Sequence, residues 1–253
     1  MTNPLSNIPV LILAGGLGTR LRSVVADKPK ALAPIMGKPF LEIQIELLKD
    51  QGATHFVLCV GYLSQQISET FGDGSKFGVR IDYSEERDQL RGTAGAIKLA
   101  QPFIKDRALV LNGDTYLDFD HNELVARHLA EIKFGAKATC TLARLDNASR
   151  FGTVILDEHD HYVAGFLEKN INNHGPAWLN AGAYMLERNF VEAIAPDKIV
   201  SLEREIFPNL IAKGGKIAAT LSSRPFYDIG TPEDYKGFSD LYQRWNHDRH
   251  RAA

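Results

Sequence analysis

Apolar runs at 10–14 (VLILA), 55–60 (HFVLCV), 79–83 (VRIDY) and 108–112 (ALVLN) alternate with helix-length segments near 39–51, 63–71 and 92–101. Short continuous apolar runs bounded by turn residues read as strands buried on both faces, and their alternation with helices is the rhythm of parallel βαβ units. The first half is therefore expected to be a Rossmann-like, doubly wound α/β sheet. Beyond residue 135 the strands are joined by short polar turns, and GTVILDEHDHYVAGFLEK (152–169) predicts a hairpin turning at 158–161. The second half is expected to extend a mixed sheet with partly antiparallel structure. The segment TPEDYKGFSDLYQRW (231–245) predicts a closing helix with Thr231 as N-cap, Pro232 at its first position and the Asp234 carboxylate at its N-terminus.

The 253 residues are 44% hydrophobic and 24% charged, enough to bury a real core. No internal repeat, linker or charge block divides them, so 1–253 is expected to be a single domain. The basic tail RWNHDRHRAA is expected to lie in solvent. A net charge of -2 exerts no general pull on nucleic acid or an anionic membrane, so any anion must be met by a local site. Cys59 and Cys140 both sit in apolar runs and offer no disulfide framework. With no signal-peptide pattern and no apolar stretch near the roughly 20 residues that span a bilayer, a cytoplasmic protein is expected. Self-association, through a free helix face or the basic tail, is left open.

The first strand runs into LAGGLGTRLR (13–22). In an open α/β sheet, ligands bind beyond the carboxyl ends of parallel strands, where a glycine loop lets backbone N–H groups approach a phosphate. Gly15, Gly16 and Gly18 are placed for that. Leu21 stands where a dinucleotide fingerprint needs a third glycine, and the Gly-Lys-Ser/Thr of a P-loop is absent. What remains is a glycine loop followed by Arg20 and then KPK (28–30), cations that can surround a triphosphate about to lose pyrophosphate. A plain glycine turn with solvated cations is the competing reading. Asp114 ends the run ALVLNGD on the same sheet edge, where a hard carboxylate can hold Mg²⁺, although Asn-Gly-Asp is also ordinary turn chemistry. Asp228 has the same setting after RPFY, or serves as charge near the closing helix. Gly92, Thr93 and Gly95 fall at a helix start, where small residues and exposed N–H groups can lie against a base or ribose, or Thr93 simply caps the helix; Glu86, six residues earlier, is either a ligand contact or solvated. His159 and His161 fall in the hairpin turn, have no third partner nearby and are expected to be exposed.

LAGGLGTRL with KPKALAPIMGKP, followed in order by GTAGAI (92–97), NGD (112–114), EK (168–169), NAGAY (180–184) and DIGTPEDY (228–235), resembles the sugar-phosphate nucleotidyltransferases, which join a nucleoside triphosphate to a sugar 1-phosphate. The resemblance covers nearly the whole chain. It implies the nucleotide-diphospho-sugar transferase type of mixed sheet, with residues 1–120 mainly binding nucleotide and 121–253 mainly binding sugar phosphate. It implies catalytic roles for Arg20, Lys30 and Asp114, and a Mg²⁺ site at Asp114 and Asp228. Nucleotide contacts are implied at Leu13, Ala14, Gly15, Gly16, Gly18, Thr19 and Arg20, and further along at Glu86, Gly92, Thr93, Asn112 and Gly113. Sugar-phosphate contacts are implied at Glu168, Lys169, Asn180 and Gly182. The chain departs from many relatives at Asn170, where they have proline.

Within that family, RLRSVVADKPKALAPI, GTAGAI and NGDTYLD look most like the guanylyltransferases that act on D-glycero-D-manno-heptose 1-phosphate in surface-polysaccharide synthesis. GTP and a heptose 1-phosphate are then the implied substrates. Thymidylyl, uridylyl or cytidylyl transfer to a hexose 1-phosphate is the alternative within the class. A non-catalytic nucleotide-sugar-binding subunit would keep the pocket and lose the metal carboxylates or phosphate cations, all of which this chain keeps. An NAD-dependent oxidoreductase is disfavoured by Leu21. No room follows residue 246 for a repeat-built acyltransferase domain, so a second activity is not expected.

Overall fold

The computed structural model describes residues 3–16, 21, 28–159, 161–169 and 174–252, with side chains of the last helix described to Trp245. In chain order the first half comprises β1 (Val10–Leu13), β2 (Pro34–Ile35), β3 (Lys38–Pro39), α1 (Phe40–Asp50), β4 (His55–Val60), α2 (Ser64–Phe71), β5 (Arg80–Glu85), α3 (Gly92–Leu99), β6 (Arg107–Asn112), β7 (Thr115–Leu117) and α4 (His121–Glu131). The second half comprises β8 (Ala136–Leu145), β9 (Thr153–Leu156), β10 (Val163–Leu167), β11 (Ala177–Glu187), α5 (Arg188–Glu192), a π turn at Leu202–Ile206, α6 (Phe207–Ala212), β12 (Lys216–Ser222), β13 (Phe226–Asp228) and α7 (Pro232–Ala252).

Among the described residues nine strands form one mixed sheet whose main path runs β10-β9-β11-β6-β1-β4-β5, with β8 beside β11 and β12 beside β8. The block β5-β4-β1-β6 is parallel, as the βαβ rhythm predicts. β11 then runs antiparallel to both β6 and β8, which joins the two halves through one sheet. Successive residues of β1 point to opposite faces. Val10 and Ile12 pack with Leu41 and Ile45 of α1, while Leu11 packs with Ala94 and Ile97 of α3. Each such fully buried aliphatic side chain contributes about 1.5–3 kcal/mol, and helices on both faces are why β1 reads as an unbroken apolar run.

The predicted hairpin is β9 and β10, paired antiparallel. The Asp157 carboxylate accepts from the backbone N–H groups of His161 (2.8 Å) and Tyr162 (3.1 Å), which closes its turn. His159 and His161 are exposed there, and no group of three or more metal-ligating side chains exists among the described residues. Cys59 and Cys140 are buried free thiols, pushed up by burial, Cys140 to about 12. Among the described residues no helix is long and apolar enough to cross a membrane.

A third layer carries part of the site. The Thr231 hydroxyl accepts from the Asp234 N–H (3.2 Å) and contacts the Asp234 carboxylate (3.1 Å), so α7 begins at Pro232 with the cap the sequence predicts. Phe238 of α7 is fully buried, edge-on to Phe40 of α1 (centroids 5.2 Å apart) and 4.8 Å from Tyr116 of β7. That aromatic cluster pins the small antiparallel pair β7–β13 against the main sheet.

Candidate active site

The parallel strands deliver their carboxyl ends to one edge, where a cavity of about 490 Å³ opens. β1 and the loop after it supply Leu13, Ala14, Gly15 and Gly16, and β6 and the turn after it supply Asn112, Gly113 and Asp114. Glu86 follows β5, and Gly92 and Thr93 open α3. β1 is where the strand order reverses, the usual location of a ligand in such sheets. The cavity size suits a nucleotide. A Cβ on Gly15 would lie 2.6 Å from the Glu86 carboxylate and 3.2 Å from the Gly61 nitrogen, so only glycine lets the loop pass there. Gly16 faces open space. Gly18, Thr19 and Arg20 lie outside the described residues. Leu21, which in the sequence served only to argue against a dinucleotide fingerprint, is 1% exposed and also borders the cavity.

Glu86 is 9% exposed, so it is not a solvated side chain. Burial raises its carboxyl above the usual range, opposed by the Arg91 backbone N–H (2.6 Å) and by the charge of Arg91. Thr93 does not cap α3. The residue before the helix is Arg91, which makes no side-chain cap, and the Thr93 hydroxyl instead donates to Glu203 (2.8 Å) and accepts from the Leu202 N–H (2.8 Å). The cap reading fails because residues 197–203 dock along this helix: Gly92 has φ +71°, and a Cβ there would lie 2.6 Å from the Val200 carbonyl. Gly95 is equally committed, to the Lys198 carbonyl, and is buried.

Lys30 joins the two candidate metal carboxylates. Its ammonium lies 2.6 Å from Asp114 and 3.3 Å from Asp228, and its side chain is 12% exposed. The carboxylates meet because β7 and β13 pair with Asp228 opposite Thr115, while the Ile229 N–H donates to the Asp114 carbonyl (3.0 Å). The Gly230 N–H donates to Asp228 (2.9 Å). Asp228 is therefore tied to Lys30, not simply poised before α7, and it reaches the cavity through Lys30 and Gly230, which line the wall that Asp228 does not. Two carboxylates brought to one point offer the hard oxygen donors a divalent ion prefers, which it would share with the Lys30 ammonium between them. With no third acidic or imidazole ligand among the described residues, such an ion would complete its shell with water and phosphate oxygens.

Gln44 is a residue that sequence reasoning missed. Its amide nitrogen donates to the carbonyls of Asn112 (3.1 Å) and Thr115 (3.0 Å), closing the turn that carries Asp114. A polar residue inside the apolar face of FLEIQIELL was the available signal.

Of the residues for which the sequence implies sugar-phosphate contacts, β11 carries Asn180 and Gly182 at an irregularity between Asn180 and Tyr184 in its pairing with β8. Gly182 has φ +73°, and a Cβ there would lie 2.5 Å from the Asn112 amide, so Gly182 backs the cavity wall at Asn112. The Asn180 amide donates to the Tyr184 hydroxyl (2.6 Å) and accepts from the Gly182 N–H (3.0 Å). Glu168 and Lys169 follow β10 as exposed side chains and do not border the 490 Å³ cavity. Asn170 lies outside the described residues.

A family model described as nucleotidyl transferase matches residues 9–244. The D-glycero-alpha-D-manno-heptose 1-phosphate guanylyltransferase of Campylobacter jejuni is 40% identical over 90% of this chain and 97% of its own length. The mannose-1-phosphate guanylyltransferase of Mycobacterium tuberculosis is 36% identical over 92% of this chain, which spans 64% of that longer relative. A crystal structure of HddC from Yersinia pseudotuberculosis complexed with GMP-PN superposes with a TM-score of 0.80 at 33% identity, covering 93% of this chain and 99% of that one.

Proposed function

The chain belongs to the nucleotidyl transferase family, and from that premise we propose that it transfers GMP from GTP to D-glycero-α-D-manno-heptose 1-phosphate, giving GDP-heptose and pyrophosphate. The observation that carries this reading is the Asp114–Lys30–Asp228 arrangement at the mouth of a nucleotide-sized cavity bounded by a glycine loop. Similarity over nearly the full length of both chains to a heptose 1-phosphate guanylyltransferase supports the choice of base and sugar.

In the proposed reaction an oxygen of the sugar phosphate forms a bond to the α-phosphorus of GTP while the bond from that phosphorus to the β-bridging oxygen breaks, and pyrophosphate leaves with the electron pair. The nucleophile is already an anion, so no general base is required. Backbone groups of 13–16 together with Gly18 and Thr19 position the phosphates. Lys30 and Arg20 offset the charge that builds on them. Glu86 accepts from the guanine edge, and Gly92, Thr93, Asn112 and Gly113 border the nucleoside. Glu168, Lys169, Asn180 and Gly182 are assigned to the sugar phosphate, with residues 1–120 and 121–253 forming the two halves of one unit. Asp114 and Asp228 would hold Mg²⁺, which when bound supplies further neutralisation of phosphate charge. Buried, unpaired thiols support a reducing, cytoplasmic setting.

Purified protein with GTP, the heptose 1-phosphate and Mg²⁺ is expected to release pyrophosphate and GDP-heptose in equal amounts. A chelator should abolish release, and Asp114→Asn should cut turnover by about 10³-fold or more with the fold intact. Pyrophosphate release without the sugar phosphate, or near-normal turnover in Asp114→Asn, would contradict the reading. The similarity to a mannose-1-phosphate guanylyltransferase favours mannose 1-phosphate as the second acceptor to test.

A further inference from the structure

Glu203 lies in the π turn, part-buried, 110 residues from Thr93 in sequence and 19 from Tyr184, yet it bonds to both. An ionised carboxylate only accepts, so the direction of every bond around it is determined. One oxygen takes the Tyr184 hydroxyl proton at 2.9 Å. The other takes the Thr93 hydroxyl at 2.8 Å and the Ser201 hydroxyl at 3.0 Å.

Tyr184 is fully buried, and burial together with the Glu203 charge pushes its phenol well up, so it remains a donor. Its single proton is committed to Glu203, and the oxygen can only accept from Asn180. The Asn180 atom 2.6 Å away must then be the amide nitrogen, as placed, while the amide oxygen accepts from the Gly182 N–H at 3.0 Å. A flipped amide would set its carbonyl against lone pairs of Tyr184 and its NH₂ against an N–H. One N–H and one carbonyl lone pair of Asn180 remain, in a fixed orientation. On the other arm, the Thr93 hydroxyl accepts from Leu202 as it donates to Glu203, which locks the first turn of α3 at the cavity wall.

We propose that Glu203 is a positioning residue that holds Thr93 on the nucleotide side and, through Tyr184, Asn180 on the sugar side, so that both substrates meet in register. This rests on the proposed nucleotidyl transfer and on Asn180 facing the sugar. Buried hydrogen-bond networks of this kind act as units, and loss of the shared acceptor loosens every member. Reactant misplacement of about 1 Å costs turnover of order 10²-fold.

The test compares Tyr184→Phe, Thr93→Val and Glu203→Gln in the full chain. Affinities for GTP and for the sugar 1-phosphate are measured separately by calorimetry, and turnover by pyrophosphate release. Tyr184→Phe is expected to weaken sugar 1-phosphate binding about 10-fold and leave GTP binding within about 2-fold, Thr93→Val to do the reverse, and Glu203→Gln to weaken both and lower kcat. Equal loss of both affinities in Tyr184→Phe and Thr93→Val would make the cluster merely structural and overturn the proposal. So would wild-type affinities and kcat in a folded Glu203→Gln protein. If Glu203→Gln does not fold, the other two variants decide alone. A wild type that binds both ligands without turnover defeats the transfer reading and leaves this one to the affinities, whereas a wild type that binds neither defeats both.

Discussion

Two glycines near the carboxylates illustrate how one residue type serves different ends. Gly230 needs no unusual backbone angle, but a Cβ there would lie 2.1 Å from the Lys30 ammonium and 2.7 Å from the Asp228 carboxylate. The ammonium is the far end of a flexible chain and can retreat, at the expense of its bridge to Asp114. Gly92 instead combines φ +71° with a Cβ position 2.6 Å from the Val200 carbonyl, where nothing flexible can yield. Gly230→Ala is therefore expected to lower kcat about 10²-fold with a melting shift of about 3 °C or less, while Gly92→Ala should cost about 1–3 kcal/mol in denaturant titrations. A Gly230→Ala enzyme of normal kcat would mean that Lys30 need not sit where it does. The glycine loop, Asp114 and Asp228 stood out in sequence because each ends a strand or directly follows one, and Lys30 because KPK follows the glycine loop. Gln44 and Glu203 were not, because their roles lie in bonds to groups 68 and 110 residues away.

Helix α4 carries two buried histidines and makes the fold sensitive to acid. His121 is held down to about 4 by burial, which penalises the charged ring, and its Nδ1–H donates to the Gln51 amide oxygen at 2.9 Å. Burial also lowers His128, against the pull of Glu187, whose carboxylate lies 3.0 Å from Nε2, while Nδ1 contacts Thr139 at 2.9 Å. In the unfolded chain both take up a proton near 6.5, and in the folded one only at lower pH. The folded state thus has its full stability above about 6.5 and loses it as pH falls, by roughly 3 kcal/mol for His121 by about pH 4. Urea unfolding at pH 7 and pH 4.5 is expected to give a lower midpoint in acid, with a smaller drop in His121→Gln; equal drops would remove His121 as a cause. The strands and helices read from the first half lie within one or two residues of β1, β4, β5, β6, α1, α2 and α3, since β1 and β4 are apolar on both faces and the α3 start is marked by GTAG, whereas β2, β3, β7 and α4 itself were not read. The Thr93 cap was misread because a threonine at a helix start is a good cap until a distant carboxylate competes for its hydroxyl.

Across the whole molecule, one mixed sheet lets strands from both halves contribute to a single cleft. β1 and β6 lead into the glycine loop and Asp114, β11 brings Gly182 against Asn112, and α7 holds β13 so that Asp228 reaches Lys30. The antiparallel return of β11 beside β6 was foreseen only as a change of rhythm after residue 135, because strand pairing across such a distance leaves no local pattern. Glu168 and Lys169, assigned from the EK motif, stand apart from the cavity wall as exposed side chains. The most direct measurement is pyrophosphate release by the wild-type protein across GTP, ATP, UTP, CTP and dTTP, each paired with manno-configured heptose, mannose and glucose 1-phosphates, with a chelator control. The expected result is metal-dependent release confined to GTP, greatest with the heptose 1-phosphate; silence across every pair while nucleotide still binds would contradict nucleotidyl transfer itself.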